Sequence, residues 1–148
     1  NFMENLMDIW FDYNIPKDSI VIEVSEDKVK GGLSDVLDKI VELKNNGFHI
    51  AIDNYGAKYA DLFLFSEVKF DTLKLDRELV HKLETDEKTC MISKSVIDIC
   101  KNYNISVVAE GVENEKEYDI LKEMGCDEAQ GYLFDKPMSW NRFEEKYL

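Results

Sequence analysis

Cysteine is scarce here, and the three present, Cys90, Cys100 and Cys126, form no CxxC pair. An odd count without metal-type spacing argues against a disulfide scaffold or a structural zinc site and reads as reduced thiols in the cytoplasm. Proline is nearly absent, with only Pro16 and Pro137, and no Gly/Ser-rich or low-complexity stretch marks a linker. Positive charge is also short. Lys plus Arg number 18 against 31 Asp plus Glu, a net charge of −13, and Arg77 and Arg142 are the two arginines. That balance argues against a nucleic-acid gripper, which needs a basic face to neutralise phosphates, and disfavours an anionic membrane surface. No apolar run approaches the ~20 residues of a membrane span. Glu4 and Asp8 interrupt the apolar residues a signal peptide would need at the N-terminus.

What is present suits one globular domain over 1–148. The hydrophobic fraction is 45%, enough for a core. Apolar periodicity predicts a helix over 2–13, ended by Asn14 and Pro16, and a second helix carrying Leu33, Val36, Leu37, Ile40 and Leu43, with Gly47 just past its end. Further helices are predicted over 59–65, over 86–103 with apolar Ile92, Val96, Ile99, Cys100 and Tyr103, from a capping box of Asn114 and Glu117 to Gly125, and from Ser139 with Trp140, Phe143 and Tyr147 inward. Between them, a β-branched run predicts a strand over 19–24, and further strands are predicted over 48–53, 70–75, 105–109 and, short, near 128–132. Five strands, each followed by a helix, predict an α/β fold with a parallel sheet and right-handed crossovers.

The polar exceptions to the apolar strands fall together. Glu23, Asp53, Lys74, Glu110 and Gln130 each lie at or near the C-terminal end of a different predicted strand, the edge where α/β folds bind ligands. Strand parity sets them on one face, while Ile22, Ile50, Ile52, Leu73 and Leu75 point toward the helices. Glu23, Asp53, Asp76, Glu110 and Glu113 are expected to converge with Lys74 as their cation. Hard oxygen ligands without Cys or His point to Mg²⁺ or Mn²⁺, and divalent cations with a lysine suit phosphate-ester chemistry. Other residues read as structural. His49 is mid-strand, and His81 is exposed. Lys28 and Lys30 are solvated loop charges, Trp10 and Trp140 are core, and 84–88 is a polar connection capped at Thr85 or Asp86.

Five segments then resemble one family in order. Ile-Glu-Val-Ser-Glu at 22–26 is similar to the E-x-T-E motif of EAL domains, and Asp-Asn-Tyr-Gly at 53–56 to their D-D-F-G. Leu-Lys-Leu-Asp at 73–76 resembles K-I-D. Ala-Glu-Gly-Val-Glu at 109–113 matches A-E-G-V-E, and Gln-Gly-Tyr at 130–132 with Pro137 matches Q-G-Y-x-x-x-x-P. The resemblance implies the last five βα units of a (β/α)₈ TIM-type barrel, with 1–14 as the helix of the preceding unit, and a place in cyclic di-GMP signalling. It implies Glu23 and Asp53 as first-cation ligands, with Asp53 also facing the second. Lys74 would contact the scissile phosphate and the attacking water. Glu110 would act at the metal centre or as a base, Glu113 would support it, Gln130 would orient water or ligand, and Glu26 would brace the loop after D-D-F-G.

The departures are specific. No E-A-L motif precedes Glu23, the second aspartate of D-D-F-G is Asn54, and T-G-Y-S-S is replaced by Ala57-Lys58-Tyr59-Ala60-Asp61. The resulting expectation is a catalytically inactive EAL-type module with weak or lost Mg²⁺ or Mn²⁺ binding. It would be a homo-oligomer or would pack against the N-terminal half of the barrel, alone in the cytoplasm or within a larger, membrane-attached signalling protein. Two other readings stay open. One is a phosphodiesterase whose N-terminal half lies elsewhere; the other is a protein-interaction scaffold that binds no nucleotide.

Overall fold

A computed structural model of the chain describes residues 2–13, 15–30, 34–57 and 61–148. The helix end expected at Asn14, and Lys58, Tyr59 and Ala60 of the altered loop, lie outside them. The order is α1 (Phe2–Tyr13), β1 (Val21–Ser25), α2 (Glu26–Lys30), α3 (Ser34–Asn45), β2 (His49–Tyr55), α4 (Leu64–Glu67) and β3 (Thr72–Leu75). There follow α5 (Arg77–Val80), α6 (Glu87–Asn102), β4 (Ser106–Glu110), α7 (Glu115–Met124), β5 (Glu128–Gln130) and α8 (Trp140–Tyr147). All five strands are parallel and stand in sequence order, β1-β2-β3-β4-β5. A doubly wound sheet would reverse direction partway; a sheet that always adds its next strand on the same side is the arc of a TIM-type barrel.

Burial explains the strand faces. Ile50, Ile52, Leu73, Leu75, Val107 and Ala109 alternate along β2, β3 and β4 and are buried against Ile40 and Leu43 of α3, Val96, Ile97 and Cys100 of α6, and Leu121 of α7 in one core. Each large aliphatic among them contributes about 1.5–3 kcal/mol of transfer free energy. At the N-terminal ends of the strands two aspartates act alike. Asp71, just before β3, receives the Ile50 N–H at 2.8 Å, and Asp127, just before β5, receives the Val107 N–H at 2.8 Å. Each also returns its own backbone N–H to the carbonyl of that same residue.

Some expectations need correction. Trp140, Phe143 and Tyr147 are not inward; they are 66%, 41% and 52% exposed, and Phe143 lies between the other two rings. Their spacing is amphipathic, but among the described residues that face of α8 is only partly covered, against the segment that follows β5. Trp10 is half-buried, donating from Nε1 to the Ile15 carbonyl with Lys17 over its ring. On α6 the buried stripe is Ser93, Val96, Ile97 and Cys100, so Ile92 and Tyr103 face outward. Lys28 is helical, in α2, although exposed. The helix predicted over 59–65 starts at Leu64, and β5 ends at Gln130. The cap of α6 is Asp86, which receives the Lys88 N–H and the Thr89 hydroxyl. The capping box is displaced by one residue. Asn114 receives the Lys116 and Glu117 N–H groups, but Glu117 reaches back to the N–H of Glu113.

Candidate functional site

Four of the sequence-selected residues meet at the C-terminal edge of the sheet. Lys74, on β3, stands between its neighbours β2 and β4, and its stem is packed so that the side chain is 12% exposed. Its ammonium lies 2.6 Å from Glu23 Oε1, 2.9 Å from Glu110 Oε1 and 3.4 Å from Asp53 Oδ1. Burial alone pulls a lysine down. The hydrogen bonds to Glu23 and Glu110 and the charges of Glu110 and Asp53 more than reverse that, holding the ammonium well above its ordinary range. Three carboxylates and one ammonium leave a formal charge of −2.

Asp53 and Asn54 can both face the open side because β2 bulges there. Between paired positions β2 advances from Ile52 to Tyr55 while β3 advances from Leu73 to Leu75, one residue fewer. Asn54 takes a left-handed φ of 58°, which asparagine tolerates better than most residues, and Tyr55 returns to the core. The Asn54 amide Nδ2 donates to Asp53 Oδ2 at 2.7 Å. The other oxygen, Asp53 Oδ1, is buried with no hydrogen-bond donor on it. That oxygen makes no hydrogen bond, and its charged partner is the Lys74 ammonium 3.4 Å away; a hard divalent cation would bind it more closely, so the donor chemistry fits Mg²⁺ or Mn²⁺ in part. Among the described residues, however, no three His, Cys, Asp or Glu side chains gather as a metal requires. Lys74 stands between the carboxylates.

The remaining residues are placed differently. Glu26 is buried and receives the Gly56 N–H on Oε2 and the Asp61 N–H on Oε1, both at 3.1 Å, so it ties down both ends of the loop after β2. Asp76 does not join the cluster through its side chain; it caps α5 by accepting the Glu78 N–H. Its parity is that of Lys74, but the chain has already turned into the helix. Glu113 faces His81 at 4.0 Å rather than Lys74, and His81 also lies 3.4 Å from the buried Glu117. Gln130 accepts the Val112 N–H on its carbonyl. With Pro137 it lines a cavity of about 690 Å³ shared with Tyr132, Met138, Trp140 and Phe143. Sequence reading missed the role of these aromatics because it assigned their stripe to the core. The signal was their neighbourhood to Gln130 and Pro137.

The family sequence model described as EAL domain matches residues 1–137. The cyclic di-GMP phosphodiesterase RocR of Pseudomonas aeruginosa is 34% identical over 140 residues, covering 95% of this chain and 36% of that protein. The EAL enzyme Bd1971, solved with cAMP and cyclic di-GMP bound, superposes with a TM-score of 0.90 at 30% identity, covering 97% of this chain and 38% of that one. BlrP1 of Klebsiella pneumoniae, solved as a manganese and cyclic di-GMP complex, superposes at 0.86 with 33% identity, covering 91% and 34%. The chain thus spans little more than a third of the curated relative's length. Among the described residues no helix is long and apolar enough to cross a membrane.

Proposed function

This chain belongs to the EAL domain family, and on that premise we propose that the cluster around Lys74 is part of a cyclic di-GMP site in a cytoplasmic signalling module that does not hydrolyse the dinucleotide on its own. The observation that carries this reading is the Lys74 ammonium held by Glu23, Asp53 and Glu110 at the ligand-binding edge of the sheet. Glu23 and Asp53 would hold a divalent cation, Asp53 facing a second cation site weakened by Asn54. A bound Mg²⁺ or Mn²⁺ would activate water and neutralise phosphate oxygens. In a site completed by further barrel units Lys74 would bind the phosphate and orient the water, Glu110 would accept a proton with Glu113 supporting it, and Gln130 would position the ligand beside the cavity shaped by Pro137. Glu26 keeps the loop after β2 in place.

The lack of turnover follows from the donor set. Within these 148 residues there is no E-A-L motif, and Asn54 contributes an uncharged amide where the family pattern has a carboxylate. Two carboxylates with one buried oxygen between them hold Mg²⁺ loosely, in the millimolar range or weaker, about −4 kcal/mol. Incubating the chain with cyclic di-GMP and Mg²⁺ or Mn²⁺, followed by chromatography, should yield no linear product. Product that disappears in Lys74→Ala would overturn the inactive reading. A second reading, a working phosphodiesterase completed by further barrel units, is favoured by the greater length of the relatives. It predicts turnover once those units are supplied on the same chain.

A further inference from the structure

We propose that Lys74 is the resident counter-ion of the carboxylate cluster, and that a divalent cation and the Lys74 ammonium compete for the same oxygens. The inference rests on the reading above that Glu23 and Asp53 are the cation ligands. A lysine ammonium has three donors. Here two reach Glu23 at 2.6 Å and Glu110 at 2.9 Å, and the third side faces Asp53 at 3.4 Å. The ammonium therefore occupies the ground between carboxylates on three different strands. A cation drawn to Glu23 and Asp53 would take two of the three partners of Lys74 and set a double positive charge beside a single one. Hard cations prefer these same oxygens, so one can enter only as the ammonium withdraws toward Glu110. The same lysine would then hold the cluster together when no metal is bound and be released toward a ligand phosphate when one is. Asn54 adds to the effect, because its amide already engages the second oxygen of Asp53.

The test is calorimetric titration of the whole 148-residue chain with Mg²⁺ and with Mn²⁺, without nucleotide. Lys74→Met should bind either ion about tenfold tighter than wild type or better, as expected for removing a unit charge a few ångströms from a divalent ion even with water-like screening. Lys74→Arg keeps the charge and should not gain. Lys94→Met removes the same charge from α6, where Lys94 pairs with Asp98, and should leave affinity unchanged. Equal, weaker or undetectable binding by Lys74→Met overturns the proposal, and so does an equal gain in Lys94→Met. Should circular dichroism show Lys74→Met unfolded, nitrogen-15 NMR of the wild-type lysine ammonium groups decides. Mg²⁺ must shift the Lys74 signal and quicken its proton exchange; a Lys74 signal unmoved while the Glu23 and Asp53 carboxyl carbons shift defeats the competition. The two readings fail separately. Micromolar two-site binding by wild type defeats the weak-site reading, whereas weak wild-type binding that Lys74→Met does not improve defeats only the competition.

Discussion

Asn54 does two jobs with one amide. It fits the left-handed position of the β2 bulge, and it donates to the carboxylate next to it. Asn54→Asp would replace that donor with a second negative charge against Asp53, close to Glu23. We expect a stability loss of about 1–2 kcal/mol at neutral pH, read by thermal melting, because a hydrogen bond to a charged group becomes like-charge repulsion. Divalent affinity should recover little, because the other ligand absences persist; a calorimetric gain into the micromolar range would contradict this. Asp71 is the opposite case, a carboxylate whose charge is already satisfied. Burial alone would raise its pKa, but the Lys44 ammonium and the Ile50 N–H more than offset this and hold it below the usual carboxylate range. A depressed folded pKa means its contribution is complete above the unfolded value near 3.9 and fades as pH falls through the folded one. Asp71→Asn should therefore cost about 1–2 kcal/mol at pH 7, with the difference from wild type narrowing in denaturant titrations as the pH is lowered below the usual carboxylate range. A gap that persists undiminished in acid would sink this assignment.

Between elements, close backbone approach decides what a position tolerates. A Cβ at Gly131 would lie 2.1 Å from the Val112 carbonyl oxygen and 2.3 Å from its nitrogen, atoms bonded to Leu133 and Gln130 respectively. The turn after β5 and the loop after β4 are thus stitched main chain to main chain. Gly131→Ala should cost about 2 kcal/mol or more and lower Tm by roughly 5 °C or more; a Tm within a degree of wild type would show that the loop can shift freely. In the sequence Gly131 was legible only as part of Q-G-Y, because the partner that requires it, Val112, lies in the loop after β4, nearly twenty residues away in the chain. The same divide runs through the rest. Strand and helix alternation, and the shared parity of Glu23, Asp53, Lys74 and Glu110, are local patterns and could be read directly. The bulge at Asn54, the capture of Asp76 by α5 and the outward face of α8 depend on what each segment meets in space. The buried stripe of α6 shows how periodicity can mislead, since Ser93 takes an inward position while the more apolar Ile92 points out.

At the scale of the molecule, the sheet has two ends. Among the described residues β1 pairs only with β2, and β5 only with β4. The aromatics of α8 lie exposed along with Tyr132 and Phe134, which follow β5. Unpaired strand edges recruit other strands, so light scattering at micromolar concentration should find the 148-residue chain as a dimer or larger; a stable monomer would contradict this. The aspartates at the opposite rim have a consequence for the site itself. A parallel strand that slips by one residue turns every side chain to the other face. For β3, that would send Lys74 in among the helices and bring an adjacent leucine to the open side. Asp71 stops such a slip, because its carboxylate and its N–H both grip Ile50 of β2, and Asp127 grips Val107 of β4 in the same way. From Asp71 to Lys74 and from Asp127 to Gln130 the interval is the same, three residues. The alignment of the charged cluster is thus indexed from the far end of the sheet, by two carboxylates that never touch it.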